Sequence, residues 1–115
     1  MIQVDFDTHD NVIVAHFRGY LDTQTAPEAE KLLMAKLDGC THHLVVNLGP
    51  TDYVSSSGLR VLLRAAKLME SRGSRFALSE ANPQVLEVLE VSGFLTIMRY
   101  FPSAGGAIEH VAISA

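Results

Sequence analysis

Only one cysteine, Cys40, occurs among the 115 residues, so no disulfide can close within the chain and an apolar core has to hold the fold. That usage agrees with a reducing compartment. No apolar run approaches the roughly 20 residues needed to cross a bilayer. The opening residues Met1-Ile2-Gln3-Val4-Asp5 also lack the basic start and apolar core of a signal peptide. A soluble, cytoplasmic protein without membrane insertion is expected. Cations are scarce as well: 9 Lys and Arg stand against 13 Asp and Glu, a formal net charge of -4. Duplex nucleic acid is gripped through its phosphates by Lys and Arg, and a nucleic-acid partner is not expected.

Several chemical signatures are missing too. No glycine stands two residues before Ser55, Ser56 or Ser57, so these serines are not in the G-x-S-x-G elbow of a hydrolase, and no His–Asp pair is identifiable as a partner for them. Neither Gly49-Pro50 nor Gly105-Gly106 fits the glycine-rich loops that cradle nucleotide phosphates, so ATP would have to arrive on a partner. Cys40, His42 and His43 invite a metal reading. In an extended segment the first two share a face and the third points away, which leaves at most two converging ligands where structural zinc takes four. His16, within an alternating strand, reads as a satisfied or solvated sheet residue. No catalytic set, cofactor or metal is expected, and the chain is not expected to be an enzyme.

What the sequence does contain is a globular balance, 48% hydrophobic and 19% charged, in a length suited to one domain with a single core over residues 1–115. Ile2, Val4 and Phe6 alternate with polar residues, and the run at 12–17 follows the Asp10-Asn11 turn, which predicts a hairpin with the second strand more buried. Gly19 is expected to end that strand. Thr25 and Glu28 have capping-box spacing, Pro27 suits a first helical turn, and Leu32, Leu33 and Leu37 form an apolar stripe closed by Gly39. A strand at 43–48, a helix at about 56–72 stopped by Gly73, and a strand at 75–79 follow. Asn82-Pro83 should start a helix bearing Val85, Leu86, Val88 and Leu89. A fifth strand over 95–100 and a last helix from about Ser103, carrying Ala107, Ile108 and Val111, complete the pattern. The order β-β-α-β-α-β-α-β-α predicts an α/β fold (α+β by some schemes): a mixed sheet of about five strands flanked by about four helices.

The most informative stretch runs from Leu44 to Leu63. Branched apolar residues ending at Gly49-Pro50 suit a strand covered on both faces. Ser55, Ser56, Ser57 and Gly58 then precede apolar residues at 59, 62, 63, 66 and 69, which is helical spacing. The serines therefore lie at a helix N-terminus, where backbone N–H groups lack partners and an oxygen acceptor or a phosphate is favoured. The plain assignment makes Ser55 the cap, Ser56 exposed and Ser57 a filler of a small gap; the functional one makes a serine a phosphoacceptor. Asp22 and Asp52 are placed on the same rim if strands 2 and 3 are neighbours, although turn and cap chemistry accounts for them equally. Arg60 lies one turn into the helix on its solvent side.

Gly19-Tyr20-Leu21-Asp22 with Thr25-Ala26-Pro27, then Val45-Val46-Asn47-Leu48, Tyr53-Val54-Ser55-Ser56-Ser57-Gly58-Leu59-Arg60 and Val91-Ser92-Gly93-Phe94 together resemble the STAS domain family, in particular its stand-alone anti-sigma factor antagonists. The resemblance implies the same mixed sheet with flanking helices. It also implies a partner-switching phosphoprotein. In the family motif Asp-Ser-Ser/Thr-Gly-Leu, the serine after the aspartate is phosphorylated by an ATP-using kinase that doubles as an anti-sigma factor, and that position is Ser56. Ser57 adjoins it, Asp22 takes the aspartate of the G-x-L-D motif, and Ser55 replaces the motif's aspartate, which makes Ser55 and Ser57 rival acceptors. Tyr53, Ser55, Ser57, Gly58, Arg60 and Asp22 are the implied partner-binding residues. The implied partners are the serine kinase/anti-sigma factor and a serine phosphatase. The alternative is a STAS subunit that is never phosphorylated and steadies the ATPase of an ABC lipid transporter.

Overall fold

The computed structural model describes residues 2–113. β1 (Ile2–His9) and β2 (Val12–Leu21) form an antiparallel hairpin, and α1 (Ala26–Leu37) returns the chain to β3 (His43–Asn47). After β4 (Thr51–Val54) and α2 (Ser56–Ser71), β5 (Phe76–Ser79), α3 (Pro83–Val91), a short 3₁₀ turn at Phe94–Thr96, β6 (Arg99–Phe101) and α4 (Ala104–Ile113) follow. The sheet order is β1-β2-β3-β5-β6, and every pairing after the hairpin is parallel. The predicted α/β class and mixed sheet hold.

Strand alternation divides the core in two. Ile13, Ala15 and Phe17 of β2 point to one face, where they meet Ala29, Leu33 and Leu37 of α1, Leu62, Ala65 and Met69 of α2, and Val85 and Leu89 of α3. Val12 and Val14 point to the other, where Val45, Ala77, Ala107 and Val111 form a smaller cluster under α4. The central strands β3 and β5 are buried on both faces, which is why they read as continuous apolar runs.

Five local features depart from expectation. β2 does not stop at Gly19 but runs to Leu21, because β4 pairs with its far end. β4 itself is unforeseen. Gly49-Pro50 does end β3, yet the chain resumes pairing along the same edge of β2 three residues later. The last strand is Arg99–Phe101, while Leu95 and Thr96, read as the start of that strand, belong with Phe94 to the 3₁₀ turn. The capping box at Thr25 and Glu28 does not form: Thr25 is in the right-handed helical region with no side-chain cap, and its hydroxyl donates to the Tyr20 carbonyl at 2.6 Å. Within α1, Leu32 is exposed and Ala29 takes the buried position expected of it.

Leu33 is fully buried between α1 and the sheet. Leu33→Ala should lower the unfolding free energy by about 2–5 kcal/mol, read from the urea midpoint at unchanged slope; a cost below that range would show that the α1 side of the core is not close-packed.

Candidate functional site

The serine segment is located by three elements meeting at one edge of the sheet. β4 pairs in parallel with the end of β2, Gly19 facing Thr51, Tyr20 facing Tyr53 and Leu21 facing Val54. The register shifts by one residue between Gly19 and Tyr20, so Asp52 is the extra, unpaired residue of a bulge. Gly19 adopts φ 110° there, a backbone region that strongly favours glycine. The bulge turns Tyr20 and Tyr53 outward as a tilted pair, centroids 6.2 Å apart, and both rings are about half exposed. Thr51 is tied underneath: its hydroxyl donates to the Phe17 carbonyl at 2.5 Å, and its own carbonyl accepts from the Asn82 amide at 3.0 Å. Asn82 also caps α3 through the Val85 N–H, so one side chain couples α3 to the same edge.

α2 begins directly after β4. The Ser55 N–H donates to the Leu21 carbonyl at 2.9 Å. The Ser55 hydroxyl accepts from the Gly58 N–H at 3.4 Å, the capping geometry anticipated for it. Ser57 is half-buried and shares a hydrogen bond of 3.2 Å with the Thr23 hydroxyl. Ser56, at the first helical position, is exposed, and among the described residues it makes no hydrogen bond through its side chain. Gly58 is buried, and a Cβ there would stand 2.5 Å from the Leu21 carbonyl oxygen and 2.8 Å from Leu21 Cγ. Only a residue without a side chain lets α2 start this close to β2.

Asp22 closes the loop after β2. Its Oδ1 accepts from the backbone N–H groups of Gln24 at 3.0 Å and Thr25 at 3.1 Å. The Thr25 N–H, above all, holds the carboxyl below the ordinary carboxylate value; burial opposes the shift, and the Gln24 N–H adds to it. Asp22 thus shapes the rim from within, which is the turn chemistry weighed for it from sequence. Arg60 is exposed, and among the described residues it makes no ion pair. Together with Ser57, Thr23 and Lys31 it lines a groove of about 520 Å³ between α1 and α2. On the other flank, Tyr53, Ser56, Leu59, Val88 and Val91 line an apolar groove of about 430 Å³ between α2 and α3. Val91 is 82% exposed.

The structure therefore gathers Asp22, Tyr53, Ser55, Ser56, Ser57 and Gly58 at one rim, with Arg60 one turn behind. Thr23, Tyr20 and Val91 belong to the same surface and were not among the partner-binding residues implied from sequence. Tyr20 could have been found by strand alternation, since it follows a buried Phe17 at odd spacing; Thr23 and Val91 become neighbours only through tertiary packing. The cysteine and histidines at 40–43 do not build a centre. His43 Nδ1 accepts from the Arg75 N–H at 2.9 Å, and no group of three potential metal ligands exists among the described residues. His16 is satisfied on both ring nitrogens, by Asp7 at 2.8 Å and Asn47 at 3.0 Å.

The family model described as the STAS domain matches residues 3–107. The chain belongs to the STAS domain family. A Bordetella bronchiseptica protein, BtrV, which carries the name of an anti-sigma factor antagonist, is 37% identical over 103 residues, covering 90% of this chain and 86% of that protein. Among solved structures, an anti-sigma factor antagonist from Thermotoga maritima superposes with a TM-score of 0.88 at 22% identity, over 95% of this chain and 94% of that one. The Bacillus antagonist SpoIIAA is matched in its unphosphorylated form with a TM-score of 0.77 at 22% identity, over 97% of this chain and 96% of that one. It is also matched in its phosphorylated form, with a TM-score of 0.69. At such identities the superpositions establish the STAS fold. The names favour the antagonist reading over the transporter subunit. Among the described residues no helix is long and apolar enough to cross a membrane.

Two outcomes follow from this geometry. Gly58→Ala should cost roughly 1–3 kcal/mol of stability through overpacking and move the amide resonances of Ser55 and its neighbours, whereas a neutral substitution would mean that the Leu21 contact is not tight. Because the Asp22 carboxyl is held below its ordinary value of 3.8, its stabilising turn should be complete above that pH and lost only as pH falls through the lower, folded-state midpoint. A carbon-detected NMR titration placing the Asp22 midpoint at or above 3.8 would contradict the turn described.

Proposed function

We propose that this STAS domain is a partner-switching anti-sigma factor antagonist acting in the cytoplasm, a regulator and not an enzyme. Unphosphorylated, it docks its serine rim on a serine kinase that is also an anti-sigma factor and displaces the factor held there. Phosphorylation at Ser56 ends that binding, and a serine phosphatase restores it. The observation that carries the reading is the state of the three hydroxyls. Ser55 is used by its cap and Ser57 by Thr23, while Ser56 is exposed and unengaged on a rim bordered by an apolar groove and two outward tyrosines. Aromatic side chains beside an apolar groove are the usual anchors of an interface.

The physics of the switch is local. A phosphoserine carries a charge of about -1.5 to -2 at neutral pH. Enclosing that charge in an apolar interface without a cation from the partner costs several kcal/mol, and each ~1.4 kcal/mol weakens binding tenfold. The helix start tolerates an anion, so no rearrangement of the scaffold is needed. The replacement of the motif's aspartate by Ser55 fits this scheme, because the hydroxyl keeps the capping role and removes only a charge.

Ser56→Ala should bind the kinase as well as the parent but take up no phosphate, and Ser56→Asp should bind at least tenfold more weakly. Ser57→Ala should still be phosphorylated. Mass spectrometry after incubation with the kinase and ATP, together with calorimetric affinities, decides the matter; phosphate on another residue, or none, defeats the assignment.

A further inference from the structure

We infer that a phosphate on Ser56 is held within the chain by Arg60, which draws it over the outer surface of α2 and away from the groove shared with α3. The inference rests on the phosphoacceptor reading above. Ser56 and Arg60 are four residues apart in one helix, a spacing that stacks side chains on the same face. Helical side chains lean toward the N-terminus, so the Arg60 stem is directed back toward Ser56 across a rise of roughly 6 Å. That distance is well within the reach of an arginine. The guanidinium is exposed and, among the described residues, has no acidic partner to give up. Its neighbour one turn on, Arg64, is already engaged by Glu30 at 2.7 Å.

The opposite flank repels. Glu87 of α3 lines the same groove as Ser56 and is exposed there, so a phosphate directed into that groove would face a carboxylate. Glu87 on one side and Arg60 on the other leave one favourable direction, toward Arg60. The consequence concerns how much charge the modification delivers. Free phosphoserine loses its second proton near pH 6, and a cation beside it moves that ionisation down, so more of the phosphate is dianionic at and below neutral pH. Arg60 would therefore set the direction and ionisation of the phosphate while leaving the unmodified surface unchanged.

Phosphoserine placed at position 56 during translation, without any kinase, separates this claim from the previous one. A phosphorus NMR titration of that protein should give a second phosphate pKa lower than that of its Arg60→Gln variant by about 0.3–0.7 pH unit. Arg60→Lys should retain most of the difference. Lys67→Gln removes the same charge from α2 roughly 16 Å from Ser56 and should leave the value where it was. Glu87→Gln should lower it further. Equal values for the parent and Arg60→Gln, an equal response to Lys67→Gln, or a rise on Glu87→Gln would each overturn the inference, whether or not a kinase uses Ser56.

Discussion

The contact between Gly58 and the carbonyl of Leu21 is the constraint on which the rest of the site depends. A Cβ at position 58 would stand 2.5 Å from that oxygen, and the same carbonyl accepts the Ser55 N–H. One peptide group thus determines both how closely α2 approaches the sheet and where its first turn begins. β4 supplies the other half of the arrangement by pairing with the end of β2 and delivering the chain to Ser55 without slack. A hydroxyl placed by two paired strands and a capped helix is held more tightly than one on a free loop.

That rigidity bears on regulation. The three serines are alike in sequence but differ in what surrounds them, and the difference is made by backbone geometry: one faces the helix's own N–H groups, one faces Thr23, and one faces solvent. A change of charge at the last position has no structural hydrogen bond to break. On the proposed function, binding would change with the scaffold left in place. Asp22 contributes a turn, its Oδ1 accepting from two backbone N–H groups.

Much of this was legible from residue order. The paired signals Asn82-Pro83 and Ser55 to Gly58 announced helix starts that the structure contains, because capping is a local transaction between a side chain and the next turn. The two-sided burial of β3 followed from its unbroken apolar run. The misreadings are equally physical. Thr25 and Glu28 have the spacing of a capping box, but the threonine oxygen accepts from the Asp22 N–H instead, and its proton goes to the Tyr20 carbonyl. β4 has only four residues and alternates too briefly to announce itself; it exists because the far end of β2 offers unpaired backbone groups. The segment at 94–96 is apolar enough for a strand, and the sheet's last hydrogen-bonding edge is instead taken by Arg99–Phe101.

Sequence alone determined the four helices, most of the strands, the fold class, the serine-bearing helix start and the family likeness, since each depends on interactions among residues a few positions apart. Tertiary structure decided which serine remains free, which aromatic rings turn outward, and that Glu87 of α3 shares a groove with Ser56. These relations join residues some thirty positions apart in the chain, brought together by strand register and helix packing, and no local pattern encodes a distance of that kind.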